Sequence, residues 1–199
     1  MLIRLNFVFL ILVLHACVYN DQFDYLLELD RQEYGAKSLN QSYIEELYGV
    51  WNSAYNTREY PVYLSAIESL MDSGYFNTAS SFSDQVDTTL LSPQELSKLY
   101  LFRGEINMMQ SNANMAIKYF HHAFIEFPIF PEEIGYNRLK YYNNAVFTLL
   151  DSEKCDEGKM YFDSLQSTAE QYPDLLYYIG GNSRIEDYQM HIEKYCGND

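Results

Sequence analysis

The chain has 199 residues, with 13 Lys+Arg against 28 Asp+Glu and a formal net charge of −15. That balance argues against a nucleic-acid binder, because phosphate recognition relies on basic side chains that release counterions. With 48% hydrophobic and 17% aromatic residues, the chain has ample material for a core and does not have the composition of a disordered protein. Five Pro and nine Gly are few for a fold of many tight β-turns and favour helices.

Residues 1–16 read as an export signal. Arg4 and the α-amino group form a positive start, Phe7 to Leu14 an apolar run, and Ala16 a small residue at a cleavage point. The run is about half of the roughly 20 residues that a membrane-spanning helix needs, so the segment is expected to be removed. Leu14-His15-Ala16-Cys17 resembles the lipobox of bacterial lipoproteins, with a leucine three positions before the cysteine and a small residue one before it. The resemblance implies that Cys17 becomes the first residue of the mature chain and carries acyl groups. Several chains anchor stably where one holds only reversibly. Val18, rather than an aspartate, follows the cysteine, which implies an outer-membrane address facing the periplasm. The alternative is an ordinary signal peptide cut after Ala16 that leaves Cys17 a plain thiol.

Residues 17–40 then read as a tether, with Phe23, Tyr25, Leu26 and Leu27 able to dock on the body. Loss of residues 1–16 removes one positive charge and no negative one, so the remaining chain is more acidic still and should be repelled by an anionic membrane surface. From residue 41 to 199 the pattern is that of one helical domain. Ile44, Leu47, Tyr48, Trp51 and Tyr55 form one stripe at helical spacing, and Tyr63, Ala66, Ile67, Leu70 and Met71 form the next. Ser42–Glu45, Ser92–Glu95 and Ser183–Glu186 each fit the capping box, and Pro93 suits a first helical position.

Between Ser97 and Phe130, the residues Tyr100, Gly104, Ala116, Phe120, Ala123 and Pro128 stand in an order that resembles the tetratricopeptide repeat, a helix pair of about 34 residues. Gly104 and Ala116 are small where two antiparallel helices would cross, Tyr100 and Phe120 fill the space beside them, and Pro128 ends the second helix. Weaker copies are expected upstream on Tyr63, Gly74, Tyr75 and Ala79, and downstream on Tyr142, Gly158, Phe162 and Leu165. The resemblance implies an all-α fold of antiparallel helix-turn-helix repeats stacked as a short right-handed solenoid. It would hold about three repeats, with flanking helices at 42–58 and 183–195. It also implies a partner-binding concave groove, to which the clear repeat would present Leu101, Glu105 and Met108.

Little in the sequence points to chemistry. There is no glycine-rich phosphate loop, no G-x-S-x-G, no H-E-x-x-H and no C-x-x-C. His121 and His122 are adjacent, and on an α-helix they point about 100° apart, so they are expected on a solvated face with Lys118 and Glu126 rather than on one metal ion. Glu132-Glu133 and Asp156-Glu157 suit helix N-termini. Tyr141-Tyr142 and Tyr177-Tyr178 should each turn one ring inward and one outward. In an oxidising compartment Cys155 and Cys196 are either bridged, stapling the last helix to the third repeat, or two separate thiols.

The leading expectation is a non-catalytic scaffold for a protein or peptide partner, lipid-anchored in a bacterial envelope, with no cofactor. By analogy of architecture it would assist assembly of an envelope machine. The alternatives are a soluble exported repeat protein binding peptide or polysaccharide, and an enzyme with a site dispersed over residues such as His121, Glu126 and Asp151.

Overall fold

The computed structural model describes residues 24–36 and 60–197, with single positions 46 and 49 between them. The expected signal segment, Cys17, both ends of the expected tether and nearly all of the helix expected over 42–58, with its Ser42 start, lie outside the described residues. Every regular element among the described residues is helical, so the fold is all-α. In chain order these are a helix over 24–34 (α1), α2 (Tyr60–Asp72), α3 (Phe76–Asp84), a 3₁₀ turn (Thr88–Leu90) and α4 (Pro93–Met109). There follow α5 (Ala113–His121) continued by a π turn (His122–Glu126), α6 (Ile134–Asp151), α7 (Cys155–Gln171), a 3₁₀ segment (Pro173–Ile179) and α8 (Gly181–Tyr195).

Local chemistry sets the helix boundaries. At the start of α4 the Ser92 hydroxyl accepts from the Glu95 amide at 3.3 Å while the Glu95 carboxylate accepts from the Ser92 amide at 2.8 Å. Pro93 occupies the first turn, where its missing N–H is not needed. The start expected at Ser183 is not used. Gly180, at φ +100°, takes the left-handed conformation that glycine adopts without strain, and α8 begins two residues earlier, at Gly181. The Ser183 hydroxyl instead donates to the Gly180 carbonyl at 2.9 Å. Glu133 precedes α6, and Asp156 and Glu157 lie in the first turn of α7, where carboxylates complement the helix dipole.

Consecutive helices pack in antiparallel pairs. Between α4 and α5, Ser97 meets Ala123, Gly104 meets Phe120 and Asn107 meets Asn112. A Cβ at Gly104 would lie 2.5 Å from Cδ1 of Phe120, so only glycine permits this approach. Between α6 and α7, Gly135 meets Tyr172, Tyr141 meets Tyr161 and Gly158 meets Leu150. The core is correspondingly divided into three successive clusters, around Ile67 and Leu99, around Phe120 and Phe124, and around Leu139 and Leu165. The stripe read at Tyr63, Ala66, Ile67 and Leu70 is buried, with Met71 half-buried.

The π turn is absent from the sequence reading. The Phe127 amide donates to the His122 carbonyl, one residue further back than in an α-helix, which deprives the Ala123 carbonyl of its usual partner. The Ser97 hydroxyl of α4 fills that vacancy at 2.6 Å. One buried hydroxyl thus both satisfies the irregularity and ties the two helices together.

Part of the segment read as a tether is a packed helix. Leu27 is buried in the first cluster, and Asp30 is fully buried. The Asp30 carboxylate accepts from the Asn77 amide at 2.6 Å, the Thr78 amide at 2.9 Å and the Thr78 hydroxyl at 2.7 Å, and so caps α3 from another helix. Burial pushes this carboxyl above its usual range against the lowering effect of those hydrogen bonds. At the other end, a disulfide joins Cys155 at the start of α7 to Cys196 just past α8. The Lys159 ammonium also donates to the Cys196 carbonyl at 2.6 Å.

Asp30→Ala leaves two amides at the start of α3 without their acceptor. It should lower stability by about 2 kcal/mol in urea unfolding and open residues 24–36 to limited proteolysis. An unchanged midpoint would mean that α1 contributes nothing to the fold.

Candidate functional site

α2, α4, α6 and α8 turn one face each toward a shared groove with a volume of about 450 Å³. Met71 and Asp72 come from the end of α2, Glu105, Met108 and Met109 from α4, Asn143, Asn144 and Phe147 from α6, and Arg184 and Tyr188 from α8. Phe76 and Phe120, from the intervening helices, complete it. Helical periodicity explains the selection: residues 105, 108 and 109, like 143, 144 and 147, each fall on one stripe of their helix.

Two of the three residues expected in the groove are there. Glu105 and Met108 line it, whereas Leu101, one turn before Glu105, packs against the Phe120 cluster instead. The neighbouring pairs supply Asp72, Asn143, Phe147 and Arg184, which the sequence reading did not single out. Their only sequence signal is position on a helix face, and that signal requires the alignment of all the helix pairs. Tyr188 holds α8 in place by donating its buried hydroxyl to Oδ1 of Asn143 at 3.0 Å. The Arg184 guanidinium lies 5.8 Å from the centre of the Tyr188 ring.

The groove is polarised. Glu105 is half-buried and has no hydrogen-bond or salt-bridge partner among the described residues. Burial, followed by repulsion from Asp72 and Glu68, pushes its carboxyl up to about 7, with Lys140 acting in the opposite direction. Burial also holds the Lys140 ammonium below its usual range, while Glu105 acts against that shift. Glu68 is already engaged by Lys98 at 2.9 Å. Asp72 is exposed and, like Glu105, has no such partner among the described residues.

The other candidates are placed apart from this groove. His122 Nδ1 lies 2.5 Å and His121 Nε2 3.9 Å from the Glu126 carboxylate. The π turn thus brings both histidines within reach of one carboxylate, contrary to the divergence expected of a regular α-helix. Among the described residues there is no group of three His, Cys, Asp or Glu side chains placed to hold a metal ion. Asp151 lines a smaller depression with Asp187 and His191, away from His121 and Glu126, so the dispersed set does not converge. The tyrosine pairs differ: Tyr141 is buried and Tyr142 half-buried, but Tyr177 and Tyr178 are both exposed, their rings tilted 33° to each other with centroids 3.9 Å apart. The expectation of one inward ring fails there because the 3₁₀ segment carries both side chains over the surface beside Tyr136.

No family model, no curated protein and no solved structure matches this chain. No helix among the described residues is long and apolar enough to cross a membrane.

The raised Glu105 carboxyl makes stability depend on pH. With its ordinary value near 4.5 and a folded value of about 7, the folded chain binds more protons than the unfolded one between these limits, so this group's contribution falls as pH rises through that window. Glu105→Gln should therefore be more stable than the parent at pH 8, on the order of 1–2 kcal/mol. The difference should vanish near pH 4.5. Equal thermal midpoints at pH 8 would mean that the carboxylate is well solvated.

Proposed function

We propose that this chain is a non-catalytic scaffold that docks a partner protein in the groove, held to a bacterial envelope membrane by lipid on Cys17. The observation that carries the reading is the groove itself. It is concave, mixed in polarity and built from one helix of each successive pair, with α8 as a further wall. The division of the core into three consecutive clusters supports a solenoid of tetratricopeptide-like repeats, with α2–α3, α4–α5 and α6–α7 as its units and α8 as a closing helix. Each pair needs its neighbours to cover its apolar faces. The Cys155–Cys196 bridge supports an oxidising compartment.

Docked α1 changes how the anchor would act. With the described helix starting at residue 24, the chain between it and Cys17 is short enough to reach only about 25 Å when fully extended. The body is then kept close to the bilayer despite its negative charge, and the partner is met there.

The test is photo-crosslinking in the native cell from a probe amino acid at Met109, in the groove, and at Met160, which is exposed on α7. A discrete adduct from position 109 alone, sedimenting with membranes and released by Cys17→Ala together with the acyl mass, is the expected result. Adducts from both positions alike would remove the groove as the docking site. Membrane association unchanged in Cys17→Ala would remove the anchor.

A further inference from the structure

The groove's charge distribution specifies what it receives. Its apolar lining is adaptable, since Met71, Met108 and Met109 stand beside Phe76 and Phe147, and methionine follows the shape of whatever lies against it. Two carboxylates, Asp72 and Glu105, enter this apolar surface without hydrogen-bond or salt-bridge partners among the described residues. Glu68 adds negative charge behind them but is occupied by Lys98. Lys140 is near enough to act on Glu105 yet forms no salt bridge with it among the described residues, and its ammonium lies 5.8 Å from the centre of the Tyr136 ring. Arg184, on the α8 wall, lies over Tyr188. The α2–α4 side thus carries two carboxyl groups that no salt bridge among the described residues neutralises, in a site where apolar walls make a charge pair stronger than in open water.

We propose that the occupant is a peptide segment of the partner that presents one lysine or arginine between apolar side chains, its cation meeting Asp72 and Glu105 and its apolar neighbours lying on Met108, Met109 and Phe147. This rests on the docking reading above and adds the chemistry of the ligand. A second copy of this chain is a poor occupant, because two bodies of net charge −15 repel each other. A neutral polysaccharide offers the two carboxylates hydroxyl donors but no opposite charge. A cationic segment relieves their repulsion, and a charge-assisted contact of this kind also sets register in the groove.

Three short fluorescein-labelled peptides test this against the full chain by fluorescence anisotropy: a leucine- and alanine-rich sequence with lysine at its centre, and the same sequence with glutamine or glutamate there. The lysine peptide should bind about tenfold more tightly than the glutamine peptide, the glutamate peptide most weakly, and added salt should narrow the gap. Asp72→Asn, at an exposed position, and Glu105→Gln should each remove most of the difference in affinity between the lysine and glutamine peptides. Phe147→Glu should weaken all three peptides.

Equal binding of the three peptides, insensitive to both carboxylate variants but lost in Phe147→Glu, would overturn the cation preference and leave the docking groove standing. Absence of binding to any peptide would overturn both readings. So would a concentration-dependent dimer broken by Phe147→Glu, or displacement of the peptides by dextran.

Discussion

The close crossing of α4 and α5 is the contact on which the rest of the molecule depends. Gly104 lies directly against the Phe120 ring, and Ser97 at the other end of the interface donates to the carbonyl that the π turn leaves free. A helix interior ordinarily disfavours glycine by about 1 kcal/mol relative to alanine. Here that cost accompanies the burial of a fully enclosed phenylalanine, which is worth more. Gly104 faces Phe120 of α5 while Ile106, about 200° around the helix, packs into the first cluster, and Glu105, Met108 and Met109 lie between them on the groove side.

The groove is therefore a by-product of packing rather than a separate construction. α2 packs on α4 and α8 packs on α6, so the outward stripes of four helices converge. α8 is fixed there by the Tyr188 hydroxyl on Asn143 and by the disulfide beyond its last turn. α1 secures the opposite end through Asp30, which stands in for the capping side chain that α3 lacks at its own N-terminus. Among the described residues, α1 and α8 thus each cover part of the apolar surface of the helix pair beside them.

Much of this was legible in the chain. The Ser92–Glu95 box, the apolar stripes and the small residue at Gly104 are local features with fixed spacing, and helix period and sterics suffice to interpret them. What escaped depends on contacts between distant residues. Leu27 was among the residues able to dock and is buried, but Asp30 lies 47 and 48 positions from the amides it caps, so nothing in residues 24–34 announces the carboxylate that fixes the segment there. The π turn depends on Ser97 accepting an irregularity 26 positions away. Ser183 had the correct capping spacing but lost to Gly180 and Gly181, whose positive φ values start the helix sooner. Leu101 was assigned by position in a repeat and shares the face of Glu105 and Met108, but it stands one turn earlier on α4, on the Phe120 cluster and outside the groove lining.

Whether that crossing is the structural keystone is tested most directly by equilibrium urea unfolding of Gly104→Ala. An added methyl gains about 1 kcal/mol of helix propensity but must displace the buried Phe120 ring, an overpacking penalty of about 1–3 kcal/mol or more. The two effects have opposite signs, so the direction of the change is decisive. A net loss of stability, accompanied by weaker binding in the groove, is the predicted result. A variant as stable as the parent, or more so, would contradict the close contact and with it the placement of the groove-lining residues on α4.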